Sequence, residues 1–143
     1  MPLPDPIPGL VLQYAYLWHD QHRKGLEEST KDRPCVVVLS VAQTDGGTVV
    51  TVAPSTHSPP RFAGEAVEIP RVTKQRLGLD EERSWIVLTE VNRFRWPGPD
   101  LRPVPGAGKG VYHYGVLPPS LFAQVRTGIL EWARRLKLLA TPR

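Results

Sequence analysis

Two polar clusters of this chain, each beside an apolar run, carry side chains that can act on a phosphate ester. Arg33 precedes the run "PCVVVLS", and Thr56 and His57 follow the run "VVTVAP". The planar fork of an arginine binds two phosphate oxygens and stays charged. A threonine hydroxyl can donate a further hydrogen bond, and a histidine can move protons near neutral pH. We therefore predict that Arg33 and Thr56 meet at one site and act on a phosphodiester.

The elements that must position these side chains are short. Sixteen prolines and twelve glycines divide the 143 residues into pieces typical of strands and turns. A "QTDGG" segment predicts a hairpin turn, 71–83 predicts a short helix or turn ended by Gly78, and three polar segments predict loops. A three- and four-residue apolar repeat predicts one clear helix over 118–140. The predicted strands are 9–18, 34–42, 48–54, 66–70 and 84–94, and the predicted loops are 19–32, 55–65 and 95–115.

This order of several strands followed by a helix predicts a mostly β fold, a small β-barrel with an appended C-terminal helix. The length predicts a single domain over 1–143. The first residues lack the basic region of a signal peptide, and we predict that 1–8 is an extended lead-in. The net charge of +4 mildly favours a polyanionic partner. Cys35 is the only cysteine, so no intrachain disulfide can form, which fits a cytoplasmic protein. We expect its thiol to be buried and inert.

An ordered set of motifs resembles the core of the PemK/MazF-like toxins of toxin–antitoxin systems. The set comprises Gly9-Leu-Val-Leu, a loop with Gly25 and Glu27, Arg33-Pro34 with "VVVLS", "VTVAPSTHS", and "VEIP…LGLDEERSWIVLTEVNRF" before a terminal helix. The resemblance runs from about residue 8 to residue 138. It implies an SH3-like barrel, a homodimer, and a cytoplasmic growth inhibitor that cleaves single-stranded RNA without a metal. It also implies a cognate antitoxin that inserts into the substrate groove.

The resemblance also implies site residues. The arginine of the family's Arg-Pro motif and the threonine after the second strand are its central catalytic pair, and they correspond to Arg33 and Thr56. An acidic residue on a later strand corresponds to Glu90, where an aspartate is usual. Two departures stand out: the loop before Arg33 is one residue longer, and the segment 96–115 is longer than in the family.

The chemistry of RNA cleavage without a metal agrees with these residue types. The 2′-hydroxyl of the substrate attacks, so the protein must remove its proton, stabilise a pentavalent phosphorane and protonate the leaving 5′-oxygen. Arg33 suits the phosphorane, Thr56 assists, and His57 is a possible acid or base. Other candidates for proton transfer are His19, His22 and His113. The residues expected to contact RNA are Lys31, Ser55, Arg93 and Trp96, the last by stacking on a base.

Each assignment has a simpler structural alternative. Arg33 can be a solvated charge at a strand end, Thr56 a turn residue that binds its own backbone, and His57 an incidental loop residue. Glu90 can be a structural carboxylate paired with Arg93 or Lys31, and Trp96 can be buried. No Cys/His spacing suggests zinc, and we expect no cofactor.

Two other functions stay open at this point. Gyrase-poisoning toxins share the barrel fold and cleave nothing, and a homologue that has lost activity would keep the barrel alone. Either would be a non-catalytic binding protein.

Overall fold

The computed structural model describes residues 3–20 and 31–143. Their elements, in chain order, are β1 (Leu10–Tyr14), β2 (Arg33–Ala42), β3 (Thr48–Thr56), β4 (Ala66–Glu68), α1 (Arg71–Leu77), β5 (Trp85–Val87), β6 (Glu90–Arg95), β7 (His113–Val116), α2 (Pro119–Arg134) and β8 (Leu139–Pro142). The described residues therefore form a mostly β fold, as predicted, which includes the helices α1 and α2. Within these described ranges, neither helix has the length and apolar character needed to cross a membrane.

One sheet contains all eight of these strands, in the order β4-β5-β3-β2-β1-β7, with β6 pairing with β3 and β8 pairing with β6. The β6–β8 pair is parallel and the other pairs are antiparallel. One edge of β3 is shared, since its beginning pairs with β6 and its last two residues pair with β5. The backbone pairings of the described strands do not close into a barrel.

The hairpin between β2 and β3 forms where the sequence predicts it. Gly46 has a φ of 90°, a conformation that glycine adopts without steric cost, and the Asp45 carboxylate accepts a hydrogen bond from the Gly47 N–H at 2.9 Å. The hairpin register places Cys35 opposite Pro54. Cys35 is completely buried, as expected, whereas Leu39 near the hairpin turn is 52% exposed. Both faces of β2 are therefore buried only in its first half.

The predicted helix over 118–140 is too long at its C-terminal end. Leu121, Val125 and Ile129 of the apolar repeat are buried, and α2 ends at Arg134. Leu136, which continues the repeat, is exposed and adopts a φ of 58°. The chain then reverses into β8, where the Leu139 N–H donates to the Thr89 carbonyl at 3.1 Å. The leucines after Arg134 continue a helical pattern, but pairing with the free edge of β6 prevails.

Three other boundaries also differ from the sequence prediction. The single strand expected over 84–94 divides into β5 and β6, which pair with different parts of β3. The predicted loop 95–115 ends in a strand, β7, which pairs with β1. The strand expected over 9–18 ends at Tyr14, and beyond it the buried Asn92 side chain binds both backbone groups of Leu17, at 2.8 and 2.7 Å.

Alternate residues of the central strands enter two separate hydrophobic clusters. The cluster beneath α2 includes Val11, Val36 and Val125, and the cluster on the opposite face of the sheet includes Leu12 and Val37. Because successive side chains of a strand point to opposite faces, β1 and β2 are covered on both sides here. The polar residues at the ends of these strands are therefore attached to a well-packed part of the sheet.

Candidate functional site

The end of β1, the start of β2 and the end of β3 lie together at one end of the sheet, because these neighbouring strands are antiparallel. A cavity of about 350 Å³ opens there, and we call it the Arg33–Thr56 cavity. One wall is formed by these strand ends with Gln13, 31–34 and 55–57. The second wall is formed by α1 and the turn after it, with Lys74 and Asp80. Pro105 and Tyr114 form the third.

Arg33 is half-buried at the start of β2, and the described residues provide an acceptor for only one of its nitrogens. One terminal nitrogen donates to the Ser55 carbonyl at 3.0 Å, and the guanidinium carbon lies 4.8 Å from the centre of the Trp18 ring. Its Nε is buried without an acceptor among the described residues. Burial lowers the pKa of Arg33 below its ordinary value, while Cys35 and Tyr16 act in the opposite direction. The ordinary value is so high that the group stays charged.

No carboxylate in the described part of the chain lies within ion-pairing distance of Arg33. The two carboxylates that line the cavity have other cationic partners: Asp80 lies 2.5 Å from Lys74, and Asp32 lies 3.7 Å from Arg102. Arg33 therefore brings a positive charge to the cavity that no described side chain neutralises, which favours an anionic ligand.

Thr56 and Ser55 have different positions in the cavity wall. The Ser55 hydroxyl is buried and donates to the Pro34 carbonyl at 2.7 Å, so it ties β3 to β2. The Thr56 hydroxyl oxygen accepts from the Ser58 N–H at 3.2 Å, which is the turn contact of the structural alternative. That contact uses a lone pair only, and the hydroxyl hydrogen can still be donated to a ligand.

His57 is held between two carboxylates. Its Nε2 lies 2.8 Å from the Asp80 carboxylate, and its Nδ1 lies 3.4 Å from the Glu82 carboxylate. Glu82 has an exposed side chain and makes the longer contact, so a substrate can displace it more easily. Burial by itself would raise the pKa of Asp80, but hydrogen bonds from Lys74 and His57 lower it below its ordinary value. Asp80 is therefore an ionised partner for the imidazole.

Lys74 is a buried component of the site that the sequence analysis missed. It is 5% exposed, and its Nζ donates to Asp80 at 2.5 Å, to Ser84 Oγ at 2.7 Å and to the Glu82 carbonyl. These three acceptors compensate for the burial of the ammonium. Its position three residues before the buried Leu77 was the available signal, because residues i and i+3 share one helix face.

Glu90 does not line the Arg33–Thr56 cavity. Its carboxylate accepts from the Tyr16 hydroxyl at 3.0 Å and from the His19 N–H at 3.0 Å. Burial raises the pKa of Glu90 above its ordinary value, although these two hydrogen bonds lower it. Tyr16 is completely buried and its ring packs edge-on against Trp18 at 5.1 Å. Glu90 therefore fixes Tyr16, whose ring packs against the Trp18 ring next to Arg33, and Glu90 itself is not among the residues that line the cavity.

We predict that Glu90→Gln removes one component of the pH dependence of stability. With a raised pKa, the folded protein holds a proton on Glu90 at pH values where the unfolded chain has lost it, so stability falls as pH rises through the folded pKa. Glutamine accepts the same hydrogen bonds without a charge. Denaturation midpoints of both proteins from pH 4 to 7 should diverge in favour of the variant as pH rises. Parallel denaturation midpoints of the two proteins over this pH range would contradict the prediction.

The remaining predicted residues are divided between the cavity and other places. Lys31 lines the cavity. Arg93 is exposed on β6 outside it, and Trp96 packs beside Phe94 at 6.3 Å, near the hairpin end of β3. His19 Nδ1 lies 3.4 Å from the Thr141 hydroxyl, and His113 belongs to β7. His22, Gly25 and Glu27 lie outside the described residues.

Within the described ranges, no group of three histidine, cysteine or carboxylate side chains is arranged to hold a metal ion. The Cys35 thiol lies beneath Arg33, 3.6 Å from its carbonyl, and burial raises its pKa. A thiol of this kind is a poor nucleophile. The chemical capacity of the cavity therefore lies in Arg33, Thr56 and His57.

Comparison with known proteins adds no further constraint. No family model matches this chain, and no curated protein or solved structure matches it with significance.

Proposed function

We propose that this protein is a metal-independent endoribonuclease that cleaves single-stranded RNA, the toxin component of a type II toxin–antitoxin system. The observation that carries the proposal is the charge of Arg33, which faces the same cavity as the Thr56 hydroxyl and has no carboxylate partner among the described residues. An anionic ester is the ligand that such a pair suits best. The choice of RNA as the anionic ester comes from the resemblance to the PemK/MazF-like toxins described above.

The proposed reaction assigns one task to each side chain. The unused donors of Arg33 and the Thr56 hydroxyl hydrogen bind the non-bridging oxygens and stabilise the phosphorane as its charge develops. The 2′-hydroxyl of the RNA attacks the phosphorus, and the P–O5′ bond breaks to leave a 2′,3′-cyclic phosphate. His57, with Nε2 held by Asp80, accepts the 2′-hydroxyl proton at Nδ1 once substrate displaces Glu82, and it returns that proton to the 5′-oxygen as the P–O5′ bond breaks.

The partners of this function follow from the same resemblance. The protein acts as a cytoplasmic homodimer, and a cognate antitoxin blocks the Arg33–Thr56 cavity. The exposed Leu39 and Val41 on the outer half of β2 supply apolar surface for a partner chain. We also propose that the sheet is an opened form of an SH3-like barrel; side-chain hydrogen bonds from Asn92 and Arg143 connect the segment after β1 to β6 and to the residue after β8.

A substrate lacking one 2′-hydroxyl tests the reaction directly. We predict that the wild-type protein cleaves a mixed-sequence single-stranded RNA in the presence of EDTA, and that 2′-deoxy substitution at the mapped cut site abolishes cleavage there. Mapping by primer extension and detection of the cyclic phosphate end would complete the test. Cleavage of the deoxy substrate at the same bond would contradict this mechanism, since no internal nucleophile would remain.

A non-catalytic nucleic-acid-binding protein is the second candidate function. Both ring nitrogens of His57 contact carboxylates, and Glu90 lies outside the cavity, so the site has a strong anion-binding group and restrained proton-transfer groups. This alternative predicts that RNA binds and that binding weakens in Arg33→Ala, with no cleavage by either protein. Fluorescence anisotropy of a labelled RNA, recorded beside the cleavage assay, separates the two functions.

A further inference from the structure

Tyr114, which forms the third wall of the Arg33–Thr56 cavity together with Pro105, lies at a β-bulge in the pairing of β1 with β7. β1 pairs Leu12 with His113 and Val11 with Gly115, so Tyr114 lies between two paired residues without a partner of its own. Gly115 follows with a φ of 114°, which glycine adopts easily. Bulges redirect side chains and occur often beside functional sites. Here the bulge accompanies a Tyr114 side chain that lines the cavity.

The Tyr114 hydroxyl fixes the side chain of Gln13. It donates to Gln13 Oε1 at 2.8 Å, and Gln13 is only 6% exposed yet lines the cavity. The carbonyl end of the carboxamide is therefore occupied. Its NH₂ group has no acceptor among the described residues, and it is not one of the fully buried unpaired atoms. The carboxamide therefore has two unused donors in its NH₂ group, while one lone pair of its oxygen is occupied.

This side chain is not needed to satisfy the local backbone. The Gln13 N–H donates to the Tyr112 carbonyl at 3.0 Å, and its carbonyl accepts from the Arg102 N–H at 2.9 Å. Pro34, opposite Gln13 in β2, has no N–H to offer. A glutamine with an unused donor in a strand that is otherwise apolar costs desolvation free energy that an apolar residue would not. Such a group suggests a ligand that completes its hydrogen bonding.

We propose that the Gln13 carboxamide, oriented by Tyr114, binds the carbonyl oxygen of a base next to the scissile phosphate and so determines which nucleotide is cleaved. This inference rests on the proposed ribonuclease function and deepens it. A cavity of about 350 Å³ is at the lower end of ligand-site volumes, roughly 300–1,000 Å³, which suits one nucleotide. Uracil, cytosine and guanine carry a carbonyl oxygen, whereas adenine does not. Gln13 is the specificity residue and Tyr114 the positioning residue.

The test compares four proteins: wild type, Gln13→Ala, Tyr114→Phe and the control Gln43→Ala. Gln43 is a glutamine far from the cavity, and its Nε2 donates to the Val41 carbonyl on the surface. Cleavage of an RNA library is sequenced, and kcat/KM is measured on paired substrates with uracil or adenine at the identified position. We expect Gln13→Ala to reduce the uracil-over-adenine preference about 2- to 10-fold, the effect of losing one uncharged hydrogen bond to the base.

Tyr114→Phe tests positioning and is less exposed to misfolding, because it removes a single oxygen. Without the hydroxyl the carboxamide can rotate, so the preference should fall in the same direction by a smaller factor. Gln43→Ala should retain the wild-type preference. Should Gln13→Ala fail to fold by circular dichroism, Tyr114→Phe alone decides the test.

The outcomes separate this inference from the proposed function. If wild type and both cavity variants cleave with the same base preference, the base contact is wrong and the nuclease assignment survives. If wild type cleaves no RNA, the assignment fails, and binding of 2′-deoxy tetranucleotides with uracil or adenine then tests the contact. In that arm, equal selectivity in wild type and Gln13→Ala, or no binding at all, overturns the inference.

Discussion

Arg33→Ala is expected to reduce RNA cleavage by about 100- to 1,000-fold, the effect of removing one preorganised donor from a charged transition state. The loss should appear mainly in kcat, because in the proposed reaction the guanidinium donors bind charge that grows in the transition state. The variant also loses the hydrogen bond to the Ser55 carbonyl and the contact with Trp18. Its thermal midpoint must therefore be measured together with its activity.

Two further variants make the Arg33 result specific. Arg33→Lys keeps the charge but not the planar fork, so we expect activity between those of wild type and Arg33→Ala. Arg126→Ala removes an exposed arginine from α2 and should leave cleavage unchanged, which controls for the loss of one positive charge. Undiminished cleavage by Arg33→Ala, in a protein whose wild type cleaves RNA, would remove Arg33 from the mechanism.

The largest expected loss of stability comes from Arg143→Met. Arg143 and Asp100 form an ion pair at 2.9 Å whose side chains are 5% and 16% exposed, and Arg143 also donates to the Ala15 carbonyl at 3.0 Å. Methionine fills similar space but leaves the Asp100 charge and the Ala15 carbonyl unpaired. Removing one member of a buried pair costs about 3–5 kcal/mol, measurable as the free energy of unfolding in urea.

Arg134→Met is the matched control for this stability prediction. Arg134 pairs with Glu131 on the surface of α2 at 3.3 Å, and an exposed pair is worth about 0–1 kcal/mol. The two substitutions remove the same side chain and differ in burial. A similar small loss in both variants would contradict the prediction, because the buried Arg143–Asp100 pair would then contribute no more than a surface pair.

The proximity of Arg33 and Thr56 was predictable from sequence because a hairpin turn lies between them. Once "QTDGG" joins two antiparallel strands, the start of the first strand must lie near the end of the second. Glu90 and Trp96 have no such local constraint. β6 pairs with the first half of β3, from Val49 to Val52, so the chain carries Trp96 towards the hairpin, away from the cavity. The position of Trp96 therefore depends on how β5 and β6 divide one edge of β3 between them.

The amino-acid sequence by itself determined the local features: the hairpin, the short helix ended by Gly78, the buried stripe of α2 and the burial of Cys35. Each depends on side chains a few residues apart, so composition and spacing are sufficient. Tertiary structure alone decided that Gln13, Lys74 and Tyr114 join Arg33, and that the last leucines form β8 instead of extending a helix. Those outcomes depend on strand register, a bulge and a free sheet edge, which arise from pairings between residues far apart in the chain.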